Sequence, residues 1–290
     1  MKKIVILGCE NSHANSFLTF IRDDARFADV EVIGVYSDEK EAMEKVSKDF
    51  NVPTMENYAD AVGKVDGIVV TARHGDNHYK YAAPYIASGV PMFIDKPITV
   101  SEEDALALAK ALKENGVRVT GGSSCRYSQI AKELKEDVKN EENGATVGGF
   151  VCCPLSTNEK YGGFYFYSQH LVEVTGDIFG RFPKSVKAYR SGANVNVVFR
   201  YDNYDVNGLF VEGGWGCYYA TRAAMKGTKG GVISTGSEIF VSEWEVFYSL
   251  LHGGESDLSY EEFIAPVFVL NAIERSMKSG NEEEVKAFEI

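Results

Sequence analysis

The chain has 290 residues, of which 44% are hydrophobic and 25% are charged, as is usual for a globular protein with a buried core. This length is typical of two domains. The net charge of −12 would repel phosphates, and no apolar run is long enough to cross a bilayer. We therefore expect no nucleic-acid partner and no membrane partner.

Cysteine and histidine spacing indicates no metal site. The cysteines lack the spacing of zinc ligands, and their odd number disfavours a disulfide framework. They are Cys9, Cys125, Cys152, Cys153 and Cys217. His13, His74 and His78 fall in separate turns or helix starts, where a histidine is more often a cap than a ligand. Reduced thiols fit the cytoplasm, so we expect a cytoplasmic protein without a bound metal.

The first 122 residues alternate short apolar runs with helical patterns. Strands are predicted at Lys3–Gly8, Val30–Tyr36, Gly67–Thr71, Pro91–Asp95 and Val117–Gly121. The segment Ser101–Asn115 is the clearest helix, with Ser101 as its cap and Gly116 after its end. Repeated βα units of this length predict an α/β domain over residues 1–122, with a doubly wound parallel sheet of the Rossmann type.

The pattern changes after residue 122. A helix is predicted at Gln129–Asn140, and a last helix at about residues 262–279. Between them, strands are predicted at Thr146–Pro154, Ser185–Arg190, Asn194–Tyr201, Asp205–Gly213, Tyr218–Met225 and Val232–Val241. These elements predict an α+β domain over residues 123–290 with a large, mostly antiparallel sheet. We expect Trp215 and Trp244 to pack in that sheet, and the last helix to pack back toward the N-terminal domain.

The turn after the first strand reads Gly8-Cys9-Glu10-Asn11-Ser12-His13. In a Rossmann domain this turn binds a pyrophosphate with the backbone amides that open the next helix. Of the usual GxGxxG pattern only the first glycine remains, because Glu10 and His13 replace the second and third. The turn is either a dinucleotide phosphate site or an ordinary strand–helix turn capped by Asn11 or Ser12.

The second strand ends at Tyr36-Ser37-Asp38-Glu39. An acidic residue at this place accepts hydrogen bonds from the adenosine ribose and repels a 2′-phosphate. NAD is therefore favoured, with NADP as the alternative. The other interpretation is that Asp38 and Glu39 only open the charged helix that follows.

Four further segments carry the most specific motifs: Thr71–His78, Gly89–Pro97, Gly122–Tyr127 and Gly162–His170. In order and spacing they resemble the Gfo/Idh/MocA family of dinucleotide-dependent oxidoreductases, and the resemblance covers essentially the whole chain. The element Asp95-Lys96-Pro97 after a strand is the most specific, although most members have a glutamate in place of Asp95.

The resemblance implies an oxidoreductase that transfers a hydride between NAD(P) and a hydroxyl-bearing carbon of a small polar substrate, such as a sugar or cyclitol derivative. Lys96 would polarise the reacting oxygen, and His170 would carry the hydroxyl proton. The predicted cofactor-binding residues are Gly8, Glu10, Asn11, Ser12, His13, Ser37, Asp38, Thr71, Ala72, Arg73, His74, His78, Asp95 and Lys96.

Some residues depart from the family pattern. Phe166 stands where the family has an aspartate four residues before the histidine, and the adjacent Tyr167 can supply a hydroxyl instead. Arg126 and Tyr127 match an arginine–aromatic pair that either contacts the substrate or packs between domains. The predicted catalytic residues are Lys96, His170 and Tyr167. The predicted substrate-binding residues are Lys96, Arg126, Tyr127, Tyr167, His170 and Glu173.

The sequence is also consistent with two other functions. A non-catalytic regulator or scaffold that binds a nucleotide or sugar is favoured by Glu10 and Phe166. A redox-neutral lyase or hydrolase assisted by the cofactor is the other alternative. As in the family, the open sheet of the second domain would join copies of the chain into a homodimer or homotetramer.

Overall fold

The computed structural model describes residues 1–290 and divides them into two compact units. The first unit comprises residues 1–122, 240–264 and 290, and the second comprises residues 123–239 and 265–289. Residues 240–264, which the sequence pattern assigns to the second domain, lie in the first unit.

The first unit contains a parallel five-stranded sheet with helices between its strands. Its strands are β1 (Lys2–Leu7), β2 (Val30–Tyr36), β3 (Gly67–Val70), β4 (Met92–Asp95) and β5 (Val119–Gly122), in the order β2-β1-β3-β4-β5. Its helices are α1 (Ser12–Asp23), α2 (Lys40–Phe50), α3 (Asp76–Ile86) and α4 (Glu102–Glu114). This arrangement confirms the predicted α/β fold with a Rossmann-type sheet.

The strand order places the ends of three strands side by side. Leu7 at the end of β1 pairs with Tyr36 of β2 on one side and with Val70 of β3 on the other. The chain forms β2 on one side of β1 and then crosses back to form β3 on the other side. Ligands of open α/β sheets bind at such a switch point. The loops that begin at Gly8, Ser37 and Thr71 therefore meet above β1.

The second unit contains a seven-stranded sheet in the order β11-β10-β6-β9-β8-β7-β12. Its strands are β6 (Thr146–Leu155), β7 (Ser185–Ser191), β8 (Asn194–Arg200), β9 (Asp205–Glu212), β10 (Tyr219–Ala224), β11 (Gly227–Val232) and β12 (Glu282–Glu284). All neighbouring pairs are antiparallel except β6 and β9, which are parallel. The predicted mostly antiparallel sheet is confirmed.

Four helices complete the chain: α5 (Gln129–Lys139), α6 (Tyr165–Phe179), α7 (Ser237–Leu251) and α8 (Tyr260–Ser279). None of the helices combines the length and apolar character that crossing a membrane would require. Helix α6 lies close to its sheet because glycines face it. A Cβ on Gly149 of β6 would stand 2.2 Å from the ring of Phe179.

The prediction of a strand at Val232–Val241 is wrong. Strand β11 ends at Val232, and α7 begins at Ser237. Trp244, Phe247 and Leu251 of this helix lie in the core of the first unit with Phe17 and Phe93. The prediction that Trp244 packs in the second sheet is therefore also wrong, because Trp244 lies on α7 and its side chain is buried in the first unit.

Candidate functional site

The turn between β1 and α1 is closely packed against the loop after β3. Gly8 has a φ of +82°, and a Cβ there would stand 2.2 Å from the backbone nitrogen of Ala72. Thr71 Oγ1 donates a hydrogen bond to the Gly8 carbonyl at 3.0 Å. Only glycine fits this position, so the first glycine of the motif is retained for a backbone reason.

Helix α1 begins directly after this turn. Asn11 is its N-cap, and the Asn11 side chain accepts a hydrogen bond from the His13 amide at 3.4 Å. The first amides of a helix have no partners within the helix, and they attract anions together with the helix dipole. The close packing at Gly8 and the amides that open α1 fit an anionic group such as a pyrophosphate.

Glu10 replaces the second glycine, and its carboxylate bridges two neighbouring loops. Glu10 Oε2 accepts a hydrogen bond from Ser37 Oγ at 2.6 Å, and Glu10 Oε1 accepts one from the Arg73 amide at 2.9 Å. Ser37 is buried at the end of β2. Three predicted cofactor-binding residues from separate segments are thus brought together by one side chain.

Asp38 lies next to Ser37 but faces other partners. Its carboxylate accepts a hydrogen bond from Tyr36 Oη at 2.7 Å and lies 3.4 Å from Lys80 Nζ on α3. The Asp38 side chain is about half exposed. These contacts direct the Asp38 carboxylate toward α3.

A buried cluster of ionisable side chains surrounds the end of β4. Asp95 Oδ2 accepts a hydrogen bond from Asn11 Nδ2 at 2.8 Å and lies 3.2 Å from His13 Nδ1. The other ring nitrogen of His13 lies 3.3 Å from Glu243 Oε2 on α7. His13, Asp95 and Glu243 are almost completely buried. Through this cluster, His13 and Asp95 connect α1, β4 and α7.

Burial changes the titration of two members of this cluster. It raises the pKa of Asp95 to about 6, an effect that electrostatic interactions with His13 and Lys96 oppose. Burial also lowers the pKa of His13, although Asp95 acts in the opposite direction. Lys96 follows Asp95 and is only 6% exposed, and its amide donates to Asp95 Oδ1 at 2.7 Å.

The two histidines after β3 differ in burial. His78 is completely buried, and its Nε2 lies 2.7 Å from the Ala72 carbonyl. Burial lowers the pKa of His78 to about 4, so the ring is neutral at neutral pH. His74 is partly exposed, and its Nδ1 accepts a hydrogen bond from the Asp76 amide at 3.3 Å. His78 therefore fixes the loop that carries Ala72 and Arg73.

In the second unit, His170 lies on α6 and is 5% exposed. Its Nδ1 is 2.6 Å from Ser123 Oγ and 3.6 Å from Cys125 Sγ. The ring of Tyr167 packs edge-on against it at 4.5 Å between centroids, and the Tyr167 hydroxyl lies 3.0 Å from that of Tyr218. The bonds at Nδ1 orient the imidazole.

The remaining predicted substrate-binding residues make contacts inside the second unit. Arg126 is buried over the ring of Tyr127, and its Nη2 donates to the Tyr127 hydroxyl at 2.5 Å. Glu173 is buried and accepts hydrogen bonds from Gln169 Nε2 at 2.9 Å and Arg181 Nη1 at 2.8 Å. Glu173 thus has two strong internal partners.

Several residues of this arrangement are absent from the sequence prediction. Ser123 and Cys125 lie within the motif segment Gly122–Tyr127. Their position in this segment is the signal that could have identified them. Glu243 lies in a helix that the sequence pattern interprets partly as a strand. Its contact with His13 joins positions 230 residues apart, and one sequence carries no signal for that pairing.

Comparison with known proteins identifies similar chains. The family model described as "Oxidoreductase family, NAD-binding Rossmann fold" (GFO_IDH_MocA) matches residues 2–123. Glucose-6-phosphate 3-dehydrogenase of Bacillus subtilis is 26% identical over 147 residues, which are 50% of this chain and 40% of that protein. Inositol 2-dehydrogenase 3 of Saccharopolyspora erythraea is 29% identical over 109 residues, which are 37% of this chain and 32% of that protein.

The similarity of the fold extends further than these sequence alignments. The structure of scyllo-inositol dehydrogenase from Lactobacillus casei with NAD(H) and scyllo-inositol matches with a TM-score of 0.84 and 14% identity. This match covers 99% of the present chain and all of that chain. At this identity the match shows the fold alone. Residues 2–123 are therefore similar to the NAD-binding Rossmann domain of the Gfo/Idh/MocA oxidoreductase family.

Proposed function

We propose that the chain is an NAD-dependent oxidoreductase that transfers a hydride to or from a hydroxyl-bearing carbon of a small polar substrate, a sugar or cyclitol derivative. The observation that carries this proposal is Lys96, which is buried beside Asp95 at the carboxyl end of β4 in the NAD-binding Rossmann unit. The curated relatives are named for glucose 6-phosphate and inositol, which are both polyhydroxylated.

The bound cofactor would supply the hydride acceptor or donor. The amides that open α1 would hold its pyrophosphate, with Gly8, Thr71 and Ala72 shaping the turn. An acidic side chain beside the adenosine ribose favours NAD over NADP, because it repels a 2′-phosphate.

Lys96 would polarise the reacting oxygen. An ammonium group stabilises the negative charge that develops on an oxygen as it loses its proton, and burial strengthens this effect. The Asp95 carboxylate and the Lys96 ammonium attract each other electrostatically.

His170 would accept or return the hydroxyl proton through Nε2. Ser123 Oγ lies 2.6 Å from Nδ1, and a hydroxyl can donate a hydrogen bond there or accept one. The ring can therefore change tautomer without losing that partner. Tyr167 packs against the same ring and would contribute its hydroxyl to the substrate side.

A non-catalytic binding protein is the second candidate, favoured by Phe166. The Phe166 ring lies 5.2 Å from that of Tyr161, and it replaces the acid that the family resemblance predicts there. An apolar ring cannot orient an imidazole.

The proposal also includes assembly of the chain into oligomers. Tyr219 and Val232, which lie opposite each other on β10 and β11, are 42% and 71% exposed. They favour a homodimer or homotetramer through this sheet, which sedimentation equilibrium measures.

The test measures the turnover of a panel of inositols and sugar phosphates through the change in nicotinamide absorbance. We expect Lys96→Ala to lower the turnover number by about 10²–10³, the usual effect of losing one charge-stabilising donor. The exposed Lys110→Ala on α4 serves as the control and should keep wild-type turnover. Melting temperatures establish that both variants fold. Wild-type turnover in Lys96→Ala would exclude the proposed role, and binding of NAD without turnover of any substrate would favour the non-catalytic candidate.

A further inference from the structure

The replacement of a glycine by Glu10 raises the question of what a carboxylate does at the switch point of the sheet. Its two oxygens are held from opposite sides, by the Ser37 hydroxyl at the end of β2 and by the Arg73 amide after β3. Strand β1 lies between those two strands. The Glu10 carboxylate therefore lies above the end of β1 with a fixed orientation.

The Glu10 carboxylate can accept further hydrogen bonds. Its two oxygens offer about four lone-pair sites, and the hydrogen bonds from Ser37 and Arg73 use two of them. A vicinal diol presents two hydroxyl donors that a single carboxylate can accept. The side chain is partly exposed, so a ligand can reach it.

Asp38 is the residue expected to accept such a diol, because it ends β2. Its carboxylate is instead hydrogen bonded by Tyr36 Oη and lies beside the ammonium of Lys80. A diol bound by Asp38 would have to compete with the Tyr36 hydroxyl and the Lys80 cation. Glu10 forms no ion pair, so no cation competes with a diol at its carboxylate.

We propose that Glu10, rather than Asp38, accepts the adenosine ribose diol of NAD and is the residue that excludes NADP. This inference rests on the proposed function, because it assumes that the first unit binds a dinucleotide. A 2′-phosphate removes one donor of the diol and brings about two negative charges against the Glu10 carboxylate. One side chain would thus both recognise NAD and reject NADP.

The experiment is a calorimetric titration of the full chain with ADP-ribose and with its analogue that lacks the 2′-hydroxyl of the adenosine ribose. These probes omit nicotinamide, so the readout is independent of turnover. Wild type should bind ADP-ribose about tenfold or more tightly than the deoxy analogue, the usual effect of a hydrogen bond to a charged group. Glu10→Gln should lose most of this preference, whereas the matched control Asp38→Asn should keep it.

A second ligand tests the rejection of NADP. ADP-ribose with a 2′-phosphate should bind more tightly to Glu10→Gln than to wild type, and Glu10→Gly provides a smaller side chain if the glutamine variant does not fold. Tighter binding of unmodified ADP-ribose by either variant would overturn the inference, because Glu10 would then obstruct the site. Loss of the preference in Asp38→Asn alone would overturn it as well. Failure of the wild type to bind any of the three ligands would instead contradict the proposed function.

Discussion

Asp95 illustrates how burial changes the chemistry of a single residue. Its pKa is raised to about 6 by burial, whereas an exposed aspartate titrates at 3.8. Between about pH 4 and pH 6 the folded state therefore binds more protons at this site than the unfolded state. The contribution of Asp95 to the free energy of unfolding must fall as pH rises through this window.

Asp95→Asn removes that falling contribution. The variant also removes a negative neighbour from His13, so the pKa of His13 should fall further, which adds a component that rises with pH. The difference in unfolding free energy, variant minus wild type, should therefore increase from about pH 4 to pH 6. Urea denaturation at several pH values measures it. A difference that stays constant or decreases would mean that Asp95 titrates as an exposed residue.

At the residue scale, the sequence predicts residues that belong to a local motif and misses their distant partners. Lys96 and His170 are recognisable because their neighbours in sequence carry the family pattern. The ring partner Ser123 precedes His170 by 47 residues, and Glu243 is still more remote from His13. Such contacts depend on how helices and strands pack, which local pattern does not reveal. The roles of the predicted site residues stay predictions that the experiments above address.

Helix α7 is the element that the sequence pattern misrepresents most. Val232, Ile233, Phe240 and Val241 are residue types that favour strands, and they led to the prediction of one strand across residues 232–241. The helical signal lies later, where Trp244, Phe247 and Leu251 recur at spacings of three and four residues. Residues 237–251 form a helix because this conformation buries Trp244, Phe247 and Leu251 together in the core of the first unit.

Trp244→Ala tests the contribution of α7 to the first unit. Its ring is completely buried and lies 5.1 Å from that of Phe17. Truncation should lower the free energy of unfolding by about 3–5 kcal/mol, because it removes apolar contact and leaves a cavity. Trp215, which is 57% exposed, provides the control, and Trp215→Ala should cost far less. Circular dichroism during urea denaturation measures both, and equal losses would contradict the packing described for α7.

At the scale of the whole molecule, alternation of elements predicted most of the fold. Regular βα repeats over the first 122 residues indicate a parallel sheet, and consecutive strands with short turns indicate an antiparallel one. The parallel pairing of β6 with β9 cannot be predicted from this alternation, because a helix and two further strands separate these strands in sequence. Return of residues 240–264 to the first unit also depends on packing rather than on local pattern.

The central claim is that this chain holds a dinucleotide at a turn that has lost two of its three glycines. Calorimetric titration of the full chain with NAD, NADH, NADP and NADPH tests it most directly, and thermal shift provides an independent readout because a ligand of the native state raises the melting temperature. We predict saturable binding of one NAD or NADH per chain, tighter than that of either phosphorylated form. Absence of binding by all four at millimolar concentration would contradict the claim.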